Sequence, residues 1–137
     1  RDCEQITTFP SLRIADMSRV EGMNNFFREC INLEEDFSIW DTSSMTTVNN
    51  MFRDCPAIDF NMGSWNITSL TSAINFLGLS QLSTANYDST LIGWESQDVN
   101  DNISVHFGTS TYSTDAAAAR AALIADHSWT ITDGGAA

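Results

Sequence analysis

Apolar positions in the first half of the chain follow two alternating spacings. Val20, Met23, Phe26/Phe27 and Cys30 recur at three- and four-residue steps, as do Met45, Val48, Met51/Phe52 and Cys55. That spacing predicts a short helix burying one face. Between these runs lie shorter, partly alternating stretches at 12–14, 37–40 and 62–65, the pattern of brief strands. Asp16 with Ser18, and Asp41 with Ser43, stand where side-chain acceptors would cap a first helical turn.

The alternation is a repeat. Moving 25 residues along the chain brings Asp16, Asp41 and Asn66 into register, with Ser18, Ser43 and Thr68, and with Asn25, Asn50 and Asn75. The chain divides into a partial unit at 1–14, units at 15–39 and 40–64, and a degenerate one at 65–82. Arg1-Asp2-Cys3 matches Arg53-Asp54-Cys55, as expected of a chain that starts inside a repeat and forms the last piece of a longer array. Cys3 to Cys30 spans 27 residues, so a bulge near Pro10 is expected to absorb two. One strand and one helical turn cannot bury an apolar face alone, so the units must stack as an α/β solenoid with a continuous core.

Equivalent residues then form ladders about 4.8 Å apart. Trp40 and Trp65 share one position and belong to the core. Asn25, Asn50 and Asn75 form a polar ladder whose amides can satisfy turn backbone groups. Cys3, Cys30 and Cys55 form a third. Cysteine suits a tight buried corner, and adjacent rungs could also bring two thiols within disulfide reach; the residues leave both open.

From residue 83 the repeat gives way to a cap, 83–137, reading helix, strand, helix, strand. Ser83 or Thr84 starts a helix through Trp94, and Ile103, Val105 and Phe107 form a strand with Ser104 and His106 outward. Thr114 or Asp115 caps an alanine-rich helix from 116 to 126, before a last strand at Trp129 and Ile131. Such an end covers the open edge of the last repeat.

Charge narrows the partners. The net charge is −12, from 18 acidic residues against six arginines and no lysine. Nucleic acid and anionic membrane surfaces are therefore disfavoured. No apolar run approaches the roughly 20 residues a spanning helix needs, and the chain opens directly into structured sequence without a signal peptide.

Chemistry-bearing residues are sparse. His106 is expected on an exposed strand and His127 at a helix end, neither placed as the base of a nucleophile. Glu34, Glu35 and Asp59 fall in turns and read as solvated surface. Asp98, Asn100 and Asp101 offer the hard oxygens calcium takes, without the EF-hand spacing, so a polar turn is the preferred reading and no cofactor is expected. Asn66-Ile67-Thr68 and Asn102-Ile103-Ser104 match the short glycosylation pattern.

The run Trp40-Asp41, Ser43, Met45, Met51-Phe52 and Cys55 resembles the roughly 25-residue unit of the BspA-like leucine-rich-repeat surface proteins, a group that includes Mycoplasma-type lipoproteins. The tail segments Asn86-Tyr87-Asp88, Trp94, Tyr112-Ser113 and 129–135 resemble the closing segment of such arrays. The resemblance implies a right-handed, leucine-rich-repeat-like stack in an exported protein of the cell or virion surface, with adhesion or interaction roles. It transfers no catalytic residue, so a non-enzyme is expected. The expected activity is recognition of a cell-surface protein or glycan through exposed strand positions: Ser11, Arg13, Asp36, Ser38, Asn61 and Gly63. The rival expectation is a structural subunit that self-associates end to end.

Overall fold

The structure, a computed structural model, describes Cys3 and residues 5–137. Arg1 and Asp2, matched above to Arg53 and Asp54, lie outside the described residues. In chain order the regular elements are α1 (Pro10–Arg13), α2 (Thr84–Glu95), β1 (Ser104–His106), β2 (Thr111–Tyr112), α3 (Ala117–His127), β3 (Thr130–Thr132) and β4 (Gly135–Ala136).

Successive units lie on one another in parallel. Gly22 bridges Thr47, Thr47 bridges Ser72, and Ala73 bridges Val105. β1 then pairs with β3 in parallel, Val105 opposite Ile131, and β2 with β4. Five segments thus form successive rungs: residues 20–30, 45–55, 70–80, 103–110 and 129–136. The same pairing direction runs through the 83–137 segment, with α2 and α3 as crossovers between rungs.

The secondary structure within each unit differs from the prediction. Where the apolar spacing predicts a helix, the backbone makes consecutive turns, with Asn25 and Glu29, Asn50 and Asp54, and Asn75 and Leu79 in the left-handed region. A residue with positive φ every four positions interrupts helical hydrogen bonding and turns alternate N–H groups toward the next rung. Met23, Asn25, Phe27 and Glu29 N–H donate to the carbonyls of Thr47, Asn49, Met51 and Arg53. Val48, Asn50, Phe52 and Asp54 repeat the row onto Ser72, Ile74, Phe76 and Gly78. The predicted strands are not strands either: residues 10–13 are α1, and 38–39 and 63–64 are turns.

Asp16 and Asp41 therefore close local turns instead of capping helices. Each Oδ1 accepts the N–H two residues on, at 3.0 Å, and Asn66 does the same for Thr68. Of the two long helices, α2 is capped by the Ser83 hydroxyl, which accepts Asn86 N–H. α3 has no side-chain cap; Thr114 and Asp115 precede its N-cap residue, Ala116.

The core runs along the stack as an aromatic column. Phe27 stacks on Phe37 at 4.9 Å and on Phe52 at 5.3 Å, and Trp40 on Trp65 at 6.3 Å. Burying each such ring contributes about 1.5–3 kcal/mol. Indole N–H groups tie rung to rung: Trp40, Trp65 and Trp94 donate to the carbonyls of Leu12, Phe37 and Met62. Those acceptors keep the 25-residue step, but the third donor comes one helical turn beyond Thr90, the position the repeat assigns it. Helix α2 carries Trp94 into the slot, while the buried Thr90 hydroxyl accepts Met62 N–H.

The cysteine column is one of packing and hydrogen bonding, with all three thiols free. Cys55 Sγ donates to Phe27 O, and Ser80 Oγ, its successor, donates to Phe52 O, each at 2.8 Å. Burial pushes the Cys55 thiol up to about 12 and the Cys30 thiol higher still.

Candidate functional site

The positions expected to bind a partner do not form an open strand face. Ser11 lies on α1, as does Arg13, which pairs with Glu35 at 3.8 Å. Glu35 is itself buried, accepting Phe9 N–H at 3.0 Å, so it is an internal anchor and not solvated surface. Asp36 and Asn61 spend Oδ1 on the N–H groups of Ser38 and Gly63, at 2.8 Å each. Gly63 lies beneath α2, where a Cβ would meet Ser89 O at 2.4 Å. These corners carry local turns and crossover packing.

Elsewhere the repeat's polar positions already have structural work. Asn25, Asn50 and Asn75 supply left-handed backbone; the amide ladder falls to their neighbours. Asn24 Oδ1 accepts Asn49 N–H at 2.8 Å, and Asn49 Oδ1 accepts Ile74 N–H at 2.7 Å and the Ser72 hydroxyl. In the calcium-like loop, the Asn100 amide donates to Thr68 O and Leu70 O, and Asp101 contacts His127 Nδ1 at 3.0 Å. Among the described residues no three His, Cys, Asp or Glu side chains are grouped to hold a metal ion. Asp59 receives Ser83 N–H and the Asn86 amide, docking the start of α2.

A different region stands out because rung three departs from the repeat. Asn24 and Asn49 are followed by Ile74, Arg28 and Arg53 by Gly78, and Glu29 and Asp54 by Leu79. Ile74 is 52% exposed and Leu79 67%. Two polar surface positions have become exposed aliphatic ones, and a long side chain between them is missing. Leu79 holds φ 61°, a conformation costing a non-glycine, non-asparagine residue about 1–2 kcal/mol. Strain at an exposed apolar residue is a pointer to function.

At the same place the rungs part. The crossing row that donates four N–H groups in each earlier rung is reduced here to the Ala73–Val105 bridge and one bond from Leu77 to His106 O at 2.8 Å. Among the described residues, the N–H groups of Asn75 and Leu79 have no protein partner. The opening is a groove of about 250 Å³ lined by Arg53, Asn75, Gly78, Leu79, His106 and Thr109, with Gly108 in its wall. It continues over Ile74, Ser104, Thr130 and Thr132. Gly108 is required: φ is 64°, and a Cβ would fall 1.7 Å from Ser80 O.

The groove is lined by donors. Arg53 makes no ion pair among the described residues, whereas Arg13, Arg28 and Arg120 face Glu35, Glu29 and Asp133. His106 Nδ1 accepts Gly108 N–H at 3.0 Å, so the neutral ring carries its proton on Nε2. No carboxylate lines it. The 25-residue register already contained the signal for this site: three departures within six residues of one rung. An apolar gap of about 10 Å³ beside Met45, Trp65 and Leu70 is no larger than one water.

A second polar cluster lies inside the far end. Asp133 accepts from Arg120 Nε at 2.8 Å and Nη2 at 3.1 Å, from Tyr87 Oη at 2.6 Å, and from Gly135 N–H at 3.0 Å. The Arg120 guanidinium also lies over the Tyr112 ring. Burial alone would raise the Asp133 carboxyl, but the bonds from Arg120, Tyr87 and Gly135 outweigh it and hold it below its ordinary value. With Asp133 only 3% exposed, this cluster joins α2, α3 and the β3–β4 turn rather than offering a site.

Units of 25 residues stack in parallel through the first half of the chain, and a donor-lined groove opens where the stack passes into the 83–137 segment. The chain belongs to the family described as "Mycoplasma protein of unknown function, DUF285", whose model matches residues 2–118. No curated protein and no solved structure matches it. No helix among the described residues is long and apolar enough to cross a membrane.

Proposed function

We propose that this chain is a leucine-rich-repeat-like α/β solenoid acting as a non-catalytic recognition module of an exported surface protein. Its target is a protein or glycan on a cell surface, contacted through the groove between rungs three and four. One observation carries the reading: at positions 74, 78 and 79 the repeat gives up residues suited to a solvated ladder for an exposed aliphatic rim around a gap. Exposed apolar groups beside donors that no protein carbonyl occupies mark a surface a partner can cover and bond.

The test is the double variant Ile74→Asn/Leu79→Asp, which restores the residues of rung two. Labelled wild type is expected to bind target cells and the variant to lose that binding with an unchanged circular dichroism spectrum. Equal binding by both would reject the groove as the recognition surface.

End-to-end self-association has one observation in its favour. Phe26 is 47% exposed, whereas Met51 and Phe76, at the same repeat position, are fully buried. Light scattering after size exclusion decides it: a mass that stays monomeric at every concentration excludes self-assembly.

A further inference from the structure

We infer that the groove binds a carboxylate carried beside an aliphatic side chain on a protein partner. This deepens the recognition reading above and rests on it. The anionic half of the inference comes from the donor set. Arg53 is charged, has no counter-ion among the described residues, and suits a carboxylate bidentately. Its neighbour along the stack is Gly78, where a Cβ would sit 3.6 Å from Arg53 Cγ. A third arginine there would lie in van der Waals contact along Arg53; glycine leaves that flank of the Arg53 side chain open to the groove.

Backbone donors add to it. In the two preceding rungs the N–H at the position of Leu79 crosses to the next rung, from Glu29 to Arg53 O and from Asp54 to Gly78 O. Leu79 N–H keeps that place with no carbonyl opposite, and Asn75 N–H does the same. The ladder thus leaves two donors in the gap that Arg53, His106 and Thr109 line. In a chain with 18 acidic residues, none lines this groove.

The aliphatic half comes from Ile74 and Leu79. Both are exposed aliphatic side chains with no Phe, Tyr or Trp ring among the groove residues, a surface that suits an apolar side chain. A doubly charged phosphate or sulfate is the poorer ligand. One arginine faces it, and the −12 net charge repels a dianion more than a monoanion.

The experiment is an NMR titration of the 15N-labelled chain with isovalerate, isovaleramide and inorganic phosphate. Isovalerate is expected to shift the Asn75 and Leu79 amides and the Arg53 Nε–H saturably, with a Kd in the range of about 1–20 mM, as befits a single charge-assisted contact. Phosphate should bind at least tenfold more weakly, and isovaleramide should give no saturable shift. Arg53→Gln should weaken isovalerate at least tenfold while other amides stay in place.

Isovaleramide binding as well as isovalerate would overturn the inference. So would phosphate binding more tightly, or an affinity unchanged in Arg53→Gln. If isovalerate shifts neither amide while Ile74→Asn/Leu79→Asp still loses its target cells, the carboxylate is wrong and the recognition surface stands. If isovalerate binds as described while cell binding survives in that variant, the site stands and the recognition reading falls.

Discussion

Replacing Asp133 by asparagine keeps the shape of the side chain and removes its charge. The carboxylate accepts four hydrogen bonds, two of them from the Arg120 fork, and its side chain is 3% exposed against 21% for Arg120. Breaking a buried pair from one side costs about 3–5 kcal/mol; the partial exposure of Arg120 places this case near the lower end, about 3 kcal/mol. For a chain of this length that loss lowers the melting temperature by roughly 10 °C. Urea unfolding followed by tryptophan fluorescence measures it, and an Arg120→Met partner completes the cycle. Because the methionine no longer leaves a buried cation unpaired, the double variant should fall short of the sum of singles by about 2 kcal/mol. The pH dependence has a definite sign. The folded carboxyl lies below its ordinary 3.8, so its contribution is complete above that value and disappears as pH falls through the lowered one. Asp133→Asn should lose that part of the acid slope. Tyr87 works oppositely: burial and Asp133 raise it above 10.0, so its share is present below pH 10.0 and is lost at higher pH. A cost under about 1 kcal/mol for Asp133→Asn, or strict additivity, would refute the reasoning.

Other substitutions probe the stack itself. Gly93→Ala should destabilise by about 2 kcal/mol or more in thermal melts, because its Cβ would lie 2.3 Å from the Gly63 carbonyl oxygen, backbone that cannot step aside. Cys55→Ser should cost under about 1 kcal/mol, since Ser80 shows a hydroxyl making the same bond, whereas Cys55→Val removes one of the two donors to Phe27 O, leaving Cys30 N–H, and should cost about 0.5–1.5 kcal/mol more. In the native state Cys30 and Cys55 should resist a thiol-disulfide reagent and react only on unfolding, as buried thiols with raised pKa do. Leu79→Asn should raise stability by about 0.5–1 kcal/mol by relieving left-handed strain, while weakening partner binding; stability unchanged or lower in chemical denaturation would count against the strain.

The repeat was legible because register depends only on identity at fixed spacing. It placed Trp40 over Trp65 and Cys30 beside Cys55 from order along the chain alone. The elements inside each unit were misassigned for a definable reason. Consecutive turns with a left-handed residue every four positions bury residues at the same three- and four-residue steps as a helix. Asparagine at 25, 50 and 75 was the available signal, as it adopts positive φ more readily than any residue but glycine and is poor inside helices. Trp94 was missed as a ladder member because α2 changes the spacing, so the indole returns to its slot four residues late. Glu35 looked like turn surface; only the packing of residues 9–13 over it buries the carboxylate.

The sequence by itself determined the 25-residue period, which residues stack on their equivalents, the acidic surface, and the break in pattern at Ile74, Gly78 and Leu79. These are properties of order along the chain, and identical units tend to make identical contacts with their neighbours. Tertiary structure decided what the break means. Whether Asn75 and Leu79 N–H find a carbonyl depends on where rung four lies, and rung four arrives only after α2 and the loop that follows it, by a path of different length. That path leaves the ladder open beside Arg53 and His106, a juxtaposition across more than 50 residues that no local pattern encodes.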